Sequence, residues 1–172
     1  MNLVMQEMCR IVDVITESTS AEPSVRRGGQ GVVDVRALVQ DVARLAQLAY
    51  ETTVVIRPGT AARLRIDGTV LWRVLVNLVD NAVRAAGPGG TVEITIDQEL
   101  DTLIEIADTG PGPADGPPGA SGLGLTVVRQ LLEAEGGRLE LARTPDGGTA
   151  ARVVFSLSRE YQLAPVLTGT WH

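Results

Sequence analysis

Two asparagines and an aspartate interrupt an apolar helical pattern in the stretch VNLVDNAVRAA, residues 76–86. Asn77, Asp80 and Asn81 stand at positions i, i+3 and i+4, so a helix would place them on one shared face. Asparagine is a mediocre helix former, and an amide on a buried face costs free energy unless it is hydrogen-bonded. An amide oxygen can bind Mg²⁺, and an arginine three residues further along, Arg84, can bind a phosphate. The stretch therefore indicates either a solvated helix face or a site for a metal and an anion.

Two glycine-containing clusters follow this stretch. The sequence ADTGPG, residues 107–112, ends a strand pattern, and SGLGL, residues 121–125, opens a helical one. A carboxylate at a strand end, here Asp108, can accept a hydrogen bond from an exocyclic amine and so select one nucleotide base. Glycines before a helix expose backbone N–H groups where the helix dipole favours an anion. Each cluster alone has an ordinary explanation, such as a turn, but all three in this order are difficult to explain by packing.

The apolar periodicity of residues 32–86 predicts the elements that hold the first cluster. A short strand leads to Asp34, which is expected to cap a helix that runs to about Tyr50. Residues 52–67 contain two strand patterns around a Pro-Gly turn. Asp67 is expected to cap the helix that carries the asparagines, and this helix should end at the sequence GPGG.

The remaining residues alternate between strand and helix patterns. Residues 91–97 and 102–108 predict a hairpin-like pair of strands, and residues 123–135 predict a helix that ends at two glycines. Residues 138–143 and 149–158 predict two closing strands around the turn TPDGG. We therefore expect an α+β two-layer sandwich, with a mixed, mostly antiparallel sheet and helices on one face.

The composition excludes several classes of site. The formal net charge of −6 argues against a nucleic-acid surface, and all fifteen basic residues are arginines, so no P-loop or Schiff-base lysine exists. Cys9 is the only cysteine and His172 the only histidine, which excludes a disulfide within the chain, a catalytic triad in its body and a multi-histidine metal centre. Since neither a leader nor a membrane-length apolar segment is present, we expect a cytoplasmic protein without a membrane partner.

The two ends of the chain lie outside the predicted sandwich. The predicted domains are residues 1–31, a helix and linker, residues 32–158, the sandwich, and residues 159–172, a tail without a clear period. The first segment repeats apolar residues at helical spacing, at Val4, Met8, Ile11 and Ile15. This stripe favours a homodimer through the N-terminal helix, and the alternative is that it packs on its own domain.

The three clusters resemble the N box and the two glycine boxes of the ATP-binding domain of sensor histidine kinases. That domain belongs to a superfamily that also holds gyrase, Hsp90 and MutL, and the resemblance runs from about Val32 to Ser158. It implies a Bergerat-type fold that binds ATP or ADP with Mg²⁺. By this resemblance, Asn81 would hold Mg²⁺ against the phosphates and Asp108 would bind the adenine amino group.

The resemblance also implies a lid over the phosphates. The lid would start at Gly110 and Gly112, and Gly122 and Gly124 would close it. Arg84 would touch a phosphate. The expected nucleotide-binding residues are Asn77, Asn81, Arg84, Asp108, Gly110, Gly112, Gly122, Leu123, Gly124, Leu125 and Thr149.

Several features depart from the family pattern. No histidine precedes residue 172, so the usual phosphoacceptor is not among these residues. The lid segment, residues 113–121, is short and contains no basic residue to neutralise the γ-phosphate. Asn77 stands where relatives that hydrolyse ATP place a glutamate, and an amide cannot act as a general base. Ala85 replaces an aromatic residue found in many relatives. We therefore expect no self-phosphorylation and very slow ATP turnover.

These features favour one function and leave others open. The favoured function is two-component signal transduction by phosphoryl transfer from ATP to a histidine on a partner chain, and a response regulator is another possible partner. The alternative is a non-catalytic regulatory module that binds nucleotide. A protein-interaction domain that has lost nucleotide is disfavoured because the phosphate-site glycines are intact.

Overall fold

The computed structural model describes residues 31–98, 101–113 and 122–156. Within these ranges the chain forms a five-stranded sheet, a separate two-stranded sheet and three helices. The elements are β1 (Gly31–Asp34), α1 (Val35–Ala49), β2 (Thr53–Ile56), β3 (Arg63–Ile66), α2 (Gly68–Ala86), β4 (Thr91–Gln98), β5 (Asp101–Asp108), α3 (Gly122–Ala134), β6 (Gly137–Arg143) and β7 (Thr149–Ser156).

The larger sheet has the strand order β2-β4-β5-β7-β6. Only β2 and β4 pair in parallel, while the other neighbours are antiparallel. The predicted hairpin-like pair is β4 and β5, in which Ile94 lies opposite Ile106. The predicted sandwich with a mixed, mostly antiparallel sheet is confirmed.

Both strands predicted in residues 52–67 form, but they belong to different sheets. β2 pairs with β4, and the backbone N–H of Arg57 continues this pairing by donating to the carbonyl of Ile94 at 2.9 Å. β3 instead pairs with β1, with Leu64 opposite Val33. The Pro-Gly segment between β2 and β3 therefore carries the chain from one sheet to the other.

The core lies between one face of the large sheet and the helices. Side chains of β4 and β5 alternate between buried and half-buried, and the buried set includes Ile94, Ile96, Ile104 and Ile106, each at most 1% exposed. The helix α2 packs on β4 and β5 and buries nine of its own residues. Because a strand sends alternate side chains to opposite faces, this pattern fixes which face meets the helices.

Aspartates begin the first two helices, as expected. Asp34 accepts a hydrogen bond from the Ala37 N–H at 3.1 Å, and Asp67 accepts one from the Thr69 N–H at 2.8 Å. These contacts satisfy N–H groups that have no partner inside a helix. The helix α2 ends at Gly87, whose φ of 70° is a backbone conformation that glycine adopts readily. The two ends of α2 are thus fixed, and its polar residues have a defined position above the sheet.

Several predictions fall outside the described residues. These are the N-terminal helix with its stripe of Val4, Met8, Ile11 and Ile15, most of the lid, and the tail of residues 159–172. In the part of the chain that the structure describes, no helix combines the length and the apolar character needed to span a bilayer.

Candidate functional site

Asp108 ends β5, the middle strand of the large sheet. The residue is 7% exposed, and its Oδ1 accepts hydrogen bonds from the N–H groups of Gly110, at 2.8 Å, and Thr149, at 3.3 Å. Within the described ranges, no residue donates a hydrogen bond to its other oxygen, Oδ2. Two backbone donors thus hold the carboxylate in place and leave one oxygen able to accept a hydrogen bond from a ligand.

The glycines after Asp108 allow the chain to pass very close to its neighbours. A Cβ on Gly110 would lie 2.5 Å from the carbonyl oxygen of Ala85 and 2.9 Å from Asp108 Oδ1. Gly112 is buried with a φ of 94°, and a Cβ there would lie 2.6 Å from the carbonyl oxygen of Gly147. Only glycine fits at these approaches. The first glycine box therefore joins the end of β5 to the last turn of α2 and to the turn before β7.

The asparagines of α2 face the start of α3. A Cβ on Gly124 would lie 3.7 Å from Asn81 Nδ2 and 3.8 Å from Asn77 Oδ1. The side-chain amide of Asn77 donates to the carbonyl of Arg73 at 2.7 Å, which orients its oxygen. The Nδ2 atom of Asn81 is buried and has no hydrogen-bond partner among the described residues. An unpaired buried amide is costly, so a polar ligand that reached this contact between α2 and α3 would be stabilised there.

Asp80 is not part of this contact between the asparagines and the start of α3. Since a helix turns about 100° per residue, Asp80 and Asn81 lie on opposite sides of Asn77, about 60° and 40° away. The Asp80 side chain is 8% exposed, accepts a hydrogen bond from the Tyr50 hydroxyl and forms an ion pair with Arg84 Nε at 3.0 Å. The expected grouping of three polar residues is therefore divided, with Asp80 directed to the end of α1.

The contact with Asp80 also affects Tyr50. Burial, followed by the hydrogen bond to Asp80 and the negative charge of its carboxylate, raises the pKa of the Tyr50 phenol, against a smaller opposing effect of Arg84. The phenol therefore stays protonated over a wider pH range and can act as a donor. The sequence offered no signal for this contact, because Tyr50 is thirty residues from Asp80 and its position suggested only the end of a helix.

The other predicted site residues lie on α2, the start of α3, the end of β5 and the start of β7. Gly122 begins α3, and Leu125 is partly buried and packs against the core. Thr149 begins β7 and contributes the backbone contact to Asp108. Arg84 lies next to Asp80 rather than next to Asn81. The structure thus brings Asn77, Asn81 and Gly124 together in one group, and Asp108, Gly110 and Thr149 in another, with Ala85 of α2 touching the second group.

A family model described as "Histidine kinase-, DNA gyrase B-, and HSP90-like ATPase" matches residues 66–159, which is more than half of the chain. The chain belongs to this family. The match includes all three clusters, and the family predicted from them is confirmed. The domain is thus a histidine kinase-like ATP-binding domain, while the roles of its individual residues stay predictions.

Known relatives and structures agree with the family. The sensor protein SphS of Synechococcus elongatus is 35% identical over an alignment of 130 residues, which covers 60% of this chain and 31% of that protein. The chain therefore spans about a third of the length of this curated relative. The solved mycobacterial sensor histidine kinase MprB superposes with a TM-score of 0.65 at 24% identity, over 74% of this chain and 97% of the other. The ATP-binding domain of PrrB from Mycobacterium tuberculosis superposes with a TM-score of 0.62 at 27% identity, over 76% and 97%.

Proposed function

We propose that this domain binds ATP with Mg²⁺ between α2, the start of α3 and the end of β5, and that it serves phosphoryl transfer to a histidine on a partner chain. The observation that carries the proposal is the placement of Asp108. Its buried carboxylate is held by two backbone N–H groups and keeps one oxygen available, at the middle strand of a fold shared with histidine kinases. A buried, oriented acceptor of this kind suits an exocyclic amine of a base.

The asparagine pair supplies the polar end of the proposed site. Asn81 would contribute its amide oxygen to Mg²⁺, which commonly takes few protein ligands and completes its shell with phosphates and water. The unpaired Nδ2 of Asn81 and the oriented oxygen of Asn77 both face Gly124, near the N-terminus of α3. Backbone N–H groups at that helix start, residues 122–125, would receive the phosphates. The residues present therefore fit a magnesium–nucleotide complex.

The same residues favour transfer over hydrolysis. When bound, ATP would supply the phosphoryl group, and the chain would contribute binding and orientation. The Asn77 amide nitrogen donates to a backbone carbonyl of its own helix, and an amide cannot remove a proton from water. An imidazole that is already neutral needs no base to attack phosphorus. A histidine outside the domain is therefore the acceptor that fits, and a kinase segment or a protein that binds a response regulator could present it.

A regulatory role without transfer is the second candidate. Two observations favour it: the lid segment, residues 113–121, contains no basic residue, and Arg84 is paired with Asp80. Phosphoryl transfer depends strongly on cations placed at the developing charge. In this candidate the domain binds nucleotide and a partner detects the resulting shape of the lid.

A transfer experiment separates the two candidates. The chain is incubated with Mg²⁺ and ATP labelled on the γ-phosphate, alone and with a purified histidine-bearing dimerisation segment of a sensor kinase. We expect no label on the chain alone and an acid-labile label on the added segment, which its His→Ala version lacks. Nucleotide binding without any transfer would favour the regulatory module. Brisk hydrolysis by the chain alone, lost in Asn77→Ala, would contradict both candidates.

A further inference from the structure

Arg84 lies on the side of α2 that faces α1. Its Nε lies 3.0 Å from Asp80 Oδ2 in an ion pair, while the other carboxylate oxygen of Asp80 accepts a hydrogen bond from the Tyr50 hydroxyl. Arg84, Tyr50 and Glu51 line a cavity of about 200 Å³ at the C-terminal end of α2, together with Gly87. The guanidinium is therefore paired with the buried carboxylate of Asp80, and Glu51 lines the same cavity.

The asparagine pair lies on the other side of the same helix. Asn77 and Asn81 face Gly124 at the start of α3, and neither residue lines the cavity beside Arg84. In helical rotation, residue 84 lies about 60° from residue 81 and about 40° from residue 80. The Cα atom of Arg84 lies between these two sides of α2, and the side chain is long enough for its guanidinium to reach either side. The negative charge of Asp80 favours the side of α2 that faces α1, until an anion is present on the asparagine side.

We propose that the Asp80 carboxylate, to which the Tyr50 hydroxyl donates, is a holding site for the Arg84 guanidinium, and that the phosphates of a bound nucleotide must draw Arg84 away from it. The inference rests on the proposed function, namely that the domain binds ATP. It adds a contact that sets how much the phosphates contribute to the affinity for ATP. Asp80 and Tyr50 are positioning residues in this proposal, because they act through Arg84.

The Tyr50 hydroxyl and the Asp80 carboxylate have different effects on the release of Arg84. When Arg84 leaves, Asp80 remains as a carboxylate that is only 8% exposed, and a buried charge without a donor is costly. The Tyr50 hydroxyl continues to donate to it and so lowers the cost of release. Removal of the carboxylate and removal of the hydroxyl should therefore change the affinity for ATP in opposite directions.

The test compares the affinities for ATP, in the presence of Mg²⁺, and for adenosine, which has no phosphate. Both are measured by calorimetry on the wild-type chain and on Asp80→Asn, Tyr50→Phe and Arg84→Gln. We expect Asp80→Asn to bind ATP about two- to tenfold more tightly and Tyr50→Phe to bind it at least about twofold more weakly, from the magnitudes typical of partly buried ion pairs and hydrogen bonds. Adenosine should bind all four proteins equally.

Two controls separate release of Arg84 from a simple change of charge. Glu140→Gln removes one negative charge from an exposed ion pair with Arg138 on β6 and should leave the affinity for ATP unchanged. In an Arg84→Gln background, Asp80→Asn should lose most of its effect, because the competing cation is gone. If Asp80→Asn raised the affinity for ATP equally with and without Arg84, the loss of negative charge alone would explain the gain. This result would overturn the proposal.

Nuclear magnetic resonance supplies a readout that needs no variant protein in the measured sample. The Nε–H signal of Arg84, identified by its absence from Arg84→Lys, should shift on addition of ATP and stay in place on addition of adenosine. A signal that both ligands leave unchanged, with ATP bound, would contradict the holding site and leave the proposed function intact. If the chain binds neither ligand, the proposed function fails and the inference fails with it.

Discussion

At the scale of single residues, the proposed function predicts that Asp108 selects the base. Asp108→Asn keeps an oxygen for the two backbone donors, Gly110 and Thr149, but loses the charge that would meet an exocyclic amine. A hydrogen bond to a charged group contributes about 1.5–3 kcal/mol, so the variant should lose most of the preference for ATP over GTP. Competition titrations with both nucleotides measure this. Asp101→Asn, at the other end of β5, should keep the preference. Equal competition by GTP and ATP against the wild-type chain would contradict the assignment.

Asn81 should carry the dependence of nucleotide binding on magnesium. In Asn81→Ala the amide oxygen is gone, so the affinity for ATP should no longer differ between buffers with Mg²⁺ and with a chelator. The fold should survive, because the substitution also removes a buried Nδ2 atom that has no partner among the described residues. Calorimetry gives the affinity and thermal unfolding gives the stability. An affinity that still rises with Mg²⁺ in Asn81→Ala would place the metal elsewhere.

The residues also show where sequence patterns reach their limit. The need of Asn81 and Asp108 for a polar partner was predicted from the sequence, because amides and a carboxylate in an apolar pattern cost free energy when they are buried alone, and their roles toward a nucleotide stay predictions. The contact of Tyr50 with Asp80 was not predictable from the sequence, since only tertiary packing brings the two residues together. A spacing of three residues also leaves two side chains about 60° apart, which is enough to send them to different neighbours.

At the scale of elements, the caps fix the helix that carries the site. Asp67→Ala removes the acceptor for the Thr69 N–H at the start of α2 and should lower the free energy of unfolding by about 1 kcal/mol. Asp67→Ser, which can also cap, should restore most of this loss. Denaturant titration measures both values. Unchanged stability in Asp67→Ala would mean that another group accepts a hydrogen bond from the N–H groups at the start of α2.

Element boundaries and the pairing of β4 with β5 followed from local sequence, whereas the partners of β2 and β3 did not. Capping aspartates, terminal glycines and alternation in β4 and β5 are local signals, and all were correctly interpreted. The partners of β2 and β3 depend on contacts with distant strands, and nothing within residues 52–67 distinguishes a hairpin from a crossover between two sheets. The Pro-Gly segment alone was therefore not sufficient to assign the pairing.

At the scale of the whole molecule, the apolar stripe of the N-terminal segment predicts a homodimer. Val4, Met8, Ile11 and Ile15 lie outside the described residues, and the prediction rests on their helical spacing. The full chain should be a dimer, and a chain that begins at Val32 should be a monomer. Light scattering on both distinguishes the outcomes. A monomeric full chain would mean that the stripe packs against its own domain.

The most direct test of the account is an equilibrium titration of the folded 172-residue chain with ATP in the presence of Mg²⁺. The account predicts saturable binding of one ATP per chain, weaker binding of GTP, and loss of the magnesium effect in Asn81→Ala. A folded chain that shows no binding of ATP up to millimolar concentration would contradict it, because the Asp108 carboxylate and the Asn81 amide would then have another purpose.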